Sequence, residues 1–91
     1  MSDEVKNKVI TVIAEILKCV DRNHVQEYKL LKDDLGCDSL DEAEIMMTLE
    51  DEFNIWIKED DVLGCVTVAD IIALVEAEVA KGIGRKSKKI H

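Results

Sequence analysis

Apolar residues recur three and four apart in separate stretches of this chain, and no proline interrupts any of them. In residues 3–19 they are Val5, Val9, Val12, Ile13, Ile16 and Leu17, one stripe of an amphipathic helix, with Asp3 and Glu4 at the end where the helix dipole favours acids. Residues 39–54 carry a second helical pattern. Residues 68–81 carry a last one through Val68, Ile71, Ile72, Val75 and Val79, opened by the capping pattern Thr67-x-x-Asp70. A short helical turn fits residues 59–63. No segment alternates with the two-residue period of a strand, so the spacing predicts an all-α chain. With one Trp, one Tyr and one Phe, its core must be built from Val, Ile, Leu and Met, which repack more easily than large rings. A chain of 91 residues makes a single domain that buries only about 60–65% of its unfolded surface.

Charge narrows the function. The formal net of −8 conceals an asymmetry, because residues 1–80 hold seven bases against twenty acids, a net of −13, while Lys81, Arg85, Lys86, Lys88 and Lys89 make residues 81–91 a basic tail. Between Asp33 and Asp61 stand twelve carboxylates and one base, Lys58. Such a surface repels nucleic acid and steers basic protein patches toward itself. Cys19, Cys37 and Cys65 lie far apart, form no CxxC pair and follow no secretory signal, which points to reduced thiols in the cytoplasm and to no metal. No apolar run approaches the roughly 18 residues of a membrane span.

Residues 33–44 read DDLGCDSLDEAE, and their one hydroxyl poses the central question. Ser39-Leu40-Asp41-Glu42 matches the Ser-x-x-Glu capping box, so Ser39 can serve simply as a helix cap. Two features argue for more. The stretch from 20 to 38 lacks a helical or strand period, yet Tyr28, Leu30, Leu31 and Leu35 are spaced to tack it over the core, and a packed loop that delivers a serine to a helix start suits a site. The helix beyond Ser39 also has two apolar stripes: Ile45, Met46, Leu49 and Phe53 on one side, and Leu40, Ala43 and Met47 nearly opposite, beside Glu44 and Asp51. A helix built only for packing has no need of the second stripe.

Leu35-Gly36-Cys37-Asp38-Ser39-Leu40-Asp41, followed by Glu44 and by Leu49-Glu50-Asp51-Glu52-Phe53, resembles the acyl carrier proteins, whose hallmark is Asp-Ser-Leu at the start of the second helix. The resemblance spans residues 3–80. It implies a small four-helix bundle, three longer helices and one short, with a long ordered loop between the first two. It divides the chain into a carrier-like domain, 1–80, and a basic tail, 81–91. It implies that Ser39 receives 4′-phosphopantetheine from coenzyme A through a separate Mg²⁺-dependent phosphopantetheinyl transferase. The protein is then no enzyme. It is a monomeric carrier that holds acyl groups as thioesters on the arm and delivers them to acyl-transferring and synthase enzymes of fatty-acid or related lipid biosynthesis. By the same resemblance Asp38, Leu40, Asp41, Ala43, Glu44, Met47, Glu50 and Asp51 form the face that docks the partners' basic patches, and Leu31, Leu49, Ile57, Val62 and Cys65 line a cavity for the acyl chain. A hydroxyl with no neighbouring base is a poor nucleophile, which agrees with a serine that is another enzyme's substrate.

Some residues depart from the family pattern. Cys37 stands where a small apolar residue is usual and is either an inert hydrophobe or an oxidisable thiol beside the arm. Trp56 replaces a polar residue and is either a partner anchor or a loop clasp. His24 reads as an ordinary solvent-facing side chain. The tail is a disordered solubilising end, an internal counterweight to the acidic body, or a handle for an anionic partner. The rival class is a non-covalent acidic helical adaptor in which Ser39 only caps its helix. A calcium-binding version fails because Leu63 falls where an EF-hand loop needs its fifth-position ligand.

Overall fold

The computed structural model describes residues 2–18 and 22–81. Four α-helices follow in order: α1 (Ser2–Leu17), α2 (Ser39–Phe53), α3 (Glu59–Leu63) and α4 (Val68–Lys81), with a 3₁₀ turn, Arg22–His24, after α1. The all-α reading and the short third helix agree with the sequence pattern, as does the start of α4. There Asp70 N–H donates to the Thr67 hydroxyl at 3.2 Å and Thr67 N–H donates to the Asp70 carboxylate at 3.1 Å, the reciprocal pair of a capping box. Helix α1 stops two residues short of the expected span because Lys18 adopts a left-handed φ of 62°. Cys19 and the tail beyond Lys81 lie outside the described residues.

Helix α1 packs against both α2 and α4. The core joins Val9, Val12 and Ile13 of α1, Ile45 and Leu49 of α2, and Val68, Ile71 and Val75 of α4, together with Val25, Leu31 and Ile55 from the connections. All are aliphatic; Phe53 is only partly buried against them. Two positions differ from the periodic expectation. Val79 is exposed, and Glu78 is buried instead, its carboxylate 3.0 Å from the Lys81 ammonium. Helix α3 buries none of its residues, so it lies on the bundle rather than within it.

The expectation that Tyr28 tacks the long loop to the core is corrected. Tyr28 stands in solvent with the Lys29 ammonium over its ring, and Leu30 is half-buried; only Leu31 and Leu35 of the four are buried. Backbone bonds do the tacking. Leu31 N–H donates to Val66 C=O at 2.9 Å, Val68 N–H to Lys29 C=O at 3.1 Å and Ala69 N–H to Glu27 C=O at 2.8 Å, which joins Leu30 and Thr67 in an isolated antiparallel bridge. Apolar spacing carries no trace of such a bridge, because its partners are main-chain groups thirty-odd residues apart.

Candidate functional site

Ser39 owes its position to the last residues of the loop. Cys37 N–H donates to Leu31 C=O at 2.8 Å and Gly36 N–H to Lys32 C=O at 3.1 Å, closing a turn in which Gly36 takes a φ of +74°. A side chain at Gly36 would meet no neighbour, so the need for glycine there is conformational, not steric. Asp34 adds its carboxylate to the Leu30 N–H at 2.8 Å. The chain therefore arrives at Asp38 already fixed to the segment that opens α4.

The capping box expected at Ser39 and Glu42 is corrected by one residue. Asp38, in the extended region with φ −105° and ψ −175°, is the N-cap; its carboxylate accepts the Asp41 N–H at 2.8 Å, and the Asp41 carboxylate accepts the Asp38 N–H at 3.3 Å. A short carboxylate is at least as good a cap as a hydroxyl and adds its charge to the helix dipole, so Asp38 takes the role and Ser39 becomes the first helical residue. Ser39 is exposed, and among the described residues its hydroxyl makes no side-chain hydrogen bond.

Beyond Ser39, α2 shows the two apolar faces. Ile45, Met46 and Leu49 are buried, whereas Leu40 and Met47 are 76% and 63% exposed, with Ala43, Glu44 and Asp51 also in solvent. Asp41 and Glu50 are half-buried, and each has a bond to keep: Asp41 in the cap, and Glu50 to the Ile57 N–H at 2.8 Å, which fixes the connection between α2 and α3.

A surface groove of about 450 Å³ starts at Ser39 and runs between α2 and α3. Ala43, Met46, Met47, Trp56, Ile57, Val62 and Leu63 supply its apolar walls, and Glu42, Glu50 and Glu59 its charges. No histidine, lysine or cysteine lines it. Glu42 and Leu63 were not singled out by sequence reasoning, Glu42 because it reads as a capping partner and Leu63 because one apolar residue on a five-residue helix has no period to follow.

The five residues expected around an acyl cavity are not gathered in one open space. Ile57 and Val62 line the groove at Ser39; Leu31 and Cys65 line a second groove of about 300 Å³ with Leu30, Lys32, Asp33, Leu63 and Val66; Leu49 is fully buried in the core. Leu63 borders both grooves and stands between them.

Burial, reinforced by Asp41, Glu42 and Asp38, pushes the Cys37 thiol up to about 11, and burial with Asp70 and Asp61 does the same for Cys65. Both are therefore held as thiols near neutrality, and Cys37, buried in the core, fits the reading as a small hydrophobe. Asp70 moves the other way: the N–H groups of Val66 and Thr67 hold its carboxyl below the usual range. Among the described residues no cluster of three or more His, Cys, Asp or Glu side chains is arranged to hold a metal, and no helix is long and apolar enough to cross a membrane.

Residues 7–75 match the family model described as a phosphopantetheine attachment site. The chain is 38% identical over 77 residues to an acyl carrier protein of Thermotoga maritima, an alignment that covers 85% of this chain and 94% of the relative. It is 36% identical over 76 residues to an acyl carrier protein of Prochlorococcus marinus, covering 84% and 94% of the two. A third, from an Exiguobacterium species, is 41% identical over 59 residues, covering 65% and 75%.

Proposed function

The chain belongs to the acyl carrier proteins, phosphopantetheine-bearing carriers and not enzymes, and from that premise we propose that Ser39 is its attachment point and that it delivers acyl thioesters to the enzymes of fatty-acid or related lipid biosynthesis. The observation that supports this best is the transfer of the cap to Asp38. It leaves at the head of α2 an exposed hydroxyl that the helix does not use, at the mouth of a groove. The adaptor reading gave Ser39 the cap, a role that Asp38 fills instead.

The residues around Ser39 suit the group. An exposed serine at the first helical position is open to a transferase that brings its own base and metal, and the free N–H groups of a helix N-terminus favour an anion such as the phosphodiester. Once attached, the arm supplies a terminal thiol that holds acyl groups as thioesters. The protein's own part is presentation. Leu40, Ala43 and Met47 form an apolar strip, and Asp38, Asp41, Glu44, Glu50 and Asp51 surround it with negative charge, so basic partner enzymes are drawn in quickly and released easily. Asp41 and Glu50 serve this face while holding the backbone, and Glu44 serves it without any such duty. For the acyl chain the lining is Leu31, Leu49, Ile57, Val62 and Cys65: no residue of α3 is fully buried and Val62 packs only partly against the core, so lifting α3 uncovers the apolar residues beneath at small cost. Monomeric action in the reducing cytoplasm fits the free thiols of Cys37 and Cys65.

Incubation with coenzyme A, Mg²⁺ and a phosphopantetheinyl transferase should add one group of about 340 Da, a mass that peptide mapping assigns to Ser39, and Ser39→Ala should remove the gain. A wild-type protein that never gains the mass, or an alanine variant that still does, overturns the proposal.

A further inference from the structure

We propose that Met47 is an oxidation site set in the docking face, where a hydroperoxide converts its thioether to the sulfoxide and so weakens the docking of partner enzymes while leaving the fold and Ser39 untouched. The inference rests on the carrier reading of α2 and goes beyond it. Two methionines stand side by side on α2, and successive residues of a helix point about 100° apart. Met46 turns into the core at 6% exposure, whereas Met47 turns outward with 63% of its surface in water. Of the apolar strip Leu40, Ala43 and Met47, only Met47 holds an atom that a peroxide can oxidise.

In the step itself a sulfur lone pair attacks the terminal oxygen of the hydroperoxide, the O–O bond breaks, and the hydroxyl proton moves to the departing oxygen, which leaves as water or an alcohol. The sulfur gives up two electrons and the peroxide takes them. Cys37 and Cys65, both pushed up to about 11, are held as thiols and not as the thiolates that peroxides attack fastest, so they compete poorly for the oxidant. The product alters the face and not the core, because Met47 is no part of the buried cluster. A sulfoxide oxygen is a strong acceptor, and Glu44 and Asp51, one turn away on either side, end in carboxylates that are acceptors as well. The oxygen therefore keeps its water, and a partner that presses an apolar patch onto the strip has to remove that water at a cost. Net charge is unchanged, so the long-range attraction survives and the close contact fails. A thiol-dependent reductase reverses the step, taking the oxygen off as water while two thiols join in a disulfide.

The full chain without its arm is treated with hydrogen peroxide and then with dithiothreitol, which resets cysteine disulfides and sulfenic acids but not methionine sulfoxide. Peptide mapping should find a gain of about 16 Da on Met47 that forms about ten times faster than on Met46, in step with exposures of 63% and 6%. Circular dichroism should stay unchanged. The oxidised protein should be a poorer substrate of the phosphopantetheinyl transferase, with KM raised about fivefold at constant kcat, and the rise should persist at high salt because no charge has changed. Met47→Leu should remove the response of KM to peroxide, and Met47→Gln should show a raised KM with no peroxide added. Oxidation that falls equally on the two methionines, or oxidised protein whose KM equals that of the untreated chain, overturns the proposal and leaves the carrier role intact; absence of the phosphopantetheine mass gain overturns both.

Discussion

Asp38 holds the head of α2 through its carboxylate, 2.8 Å from the Asp41 N–H, and Ser39 is left outside that bond. The two residues therefore separate by mutation. Asp38→Ala should cost about 1 kcal/mol of stability, the usual worth of an N-cap, whereas Ser39→Ala should stay within about 0.5 kcal/mol while abolishing arm attachment. Urea unfolding of the two variants checks the contrast. The thiols give a pH signature. Cys37 and Cys65, both pushed up to about 11 from 9.0, stay protonated in the fold after the unfolded chain has begun to ionise. Between about pH 9 and pH 11 the unfolded state binds fewer protons, so stability present below pH 9 is lost as pH rises through that window. Thermal melts at pH 8, 9 and 10 should fall in that order, and Cys37→Ala with Cys65→Ala should make the fall less steep.

At the scale of the element, α2 ends as deliberately as it begins. Asn54 closes it with a left-handed φ of 56° and donates its N–H to Glu50 C=O, while the Glu50 carboxylate takes the Ile57 N–H. Asn54→Gly should be nearly neutral, and Asn54→Val should lose about 1–2 kcal/mol, since a β-branched residue is poorly accommodated there. Denaturant titration separates the two. The exposed face of α2 makes a kinetic prediction: Glu44→Lys should slow modification by the transferase at low salt and lose its effect at high salt, whereas the loss from Leu40→Gln should persist in salt, because screening acts on charge and not on apolar contact. Stopped-flow or initial-rate measurements across a salt series distinguish these, with unchanged helix content as the control.

For the whole molecule the governing term is repulsion. A net of −13 over residues 1–80 opposes compaction, relieved locally by pairs such as Lys6–Glu27 and Lys8–Glu52, which tie α1 to the loop and to α2. At 0.01 M ionic strength the Debye length of about 30 Å is more than twice the 12.5 Å radius of gyration, and at 0.15 M it shrinks to about 8 Å. The melting temperature should therefore rise with salt, and rise further with millimolar Mg²⁺, a divalent counterion to the acidic surface. Removal of residues 82–91 takes away four bases and no acid, which shifts the net charge from −8 to −12 and should lower the melting temperature most at low salt. Melts of both lengths across one salt series check each statement; a flat response of the full chain would refute the repulsion argument.

Periodicity and caps made most of this protein legible before its fold was known. Three amphipathic stretches, Thr67 with Asp70, and the two-faced pattern of α2 are local signals, and local backbone geometry turns each into a helix and a direction without help from the rest of the chain. The Asp38-Ser39-Leu40 motif, where we propose attachment, is local too, because it sits at a helix start. What the tertiary structure decided are matters that depend on main-chain partners or on competition between neighbours. Asp38 took the cap in place of Ser39 because either residue can cap this helix start and only the folded geometry chooses. Tyr28 was left in water because the loop is held by bonds between residues 27–31 and 66–69, which no side-chain pattern encodes. The groove that brings Ser39 and Trp56 into one lining depends on how the connection after α2 folds back, where the Glu50 carboxylate takes the Ile57 N–H, and it joins residues seventeen apart that no helical or strand period predicts.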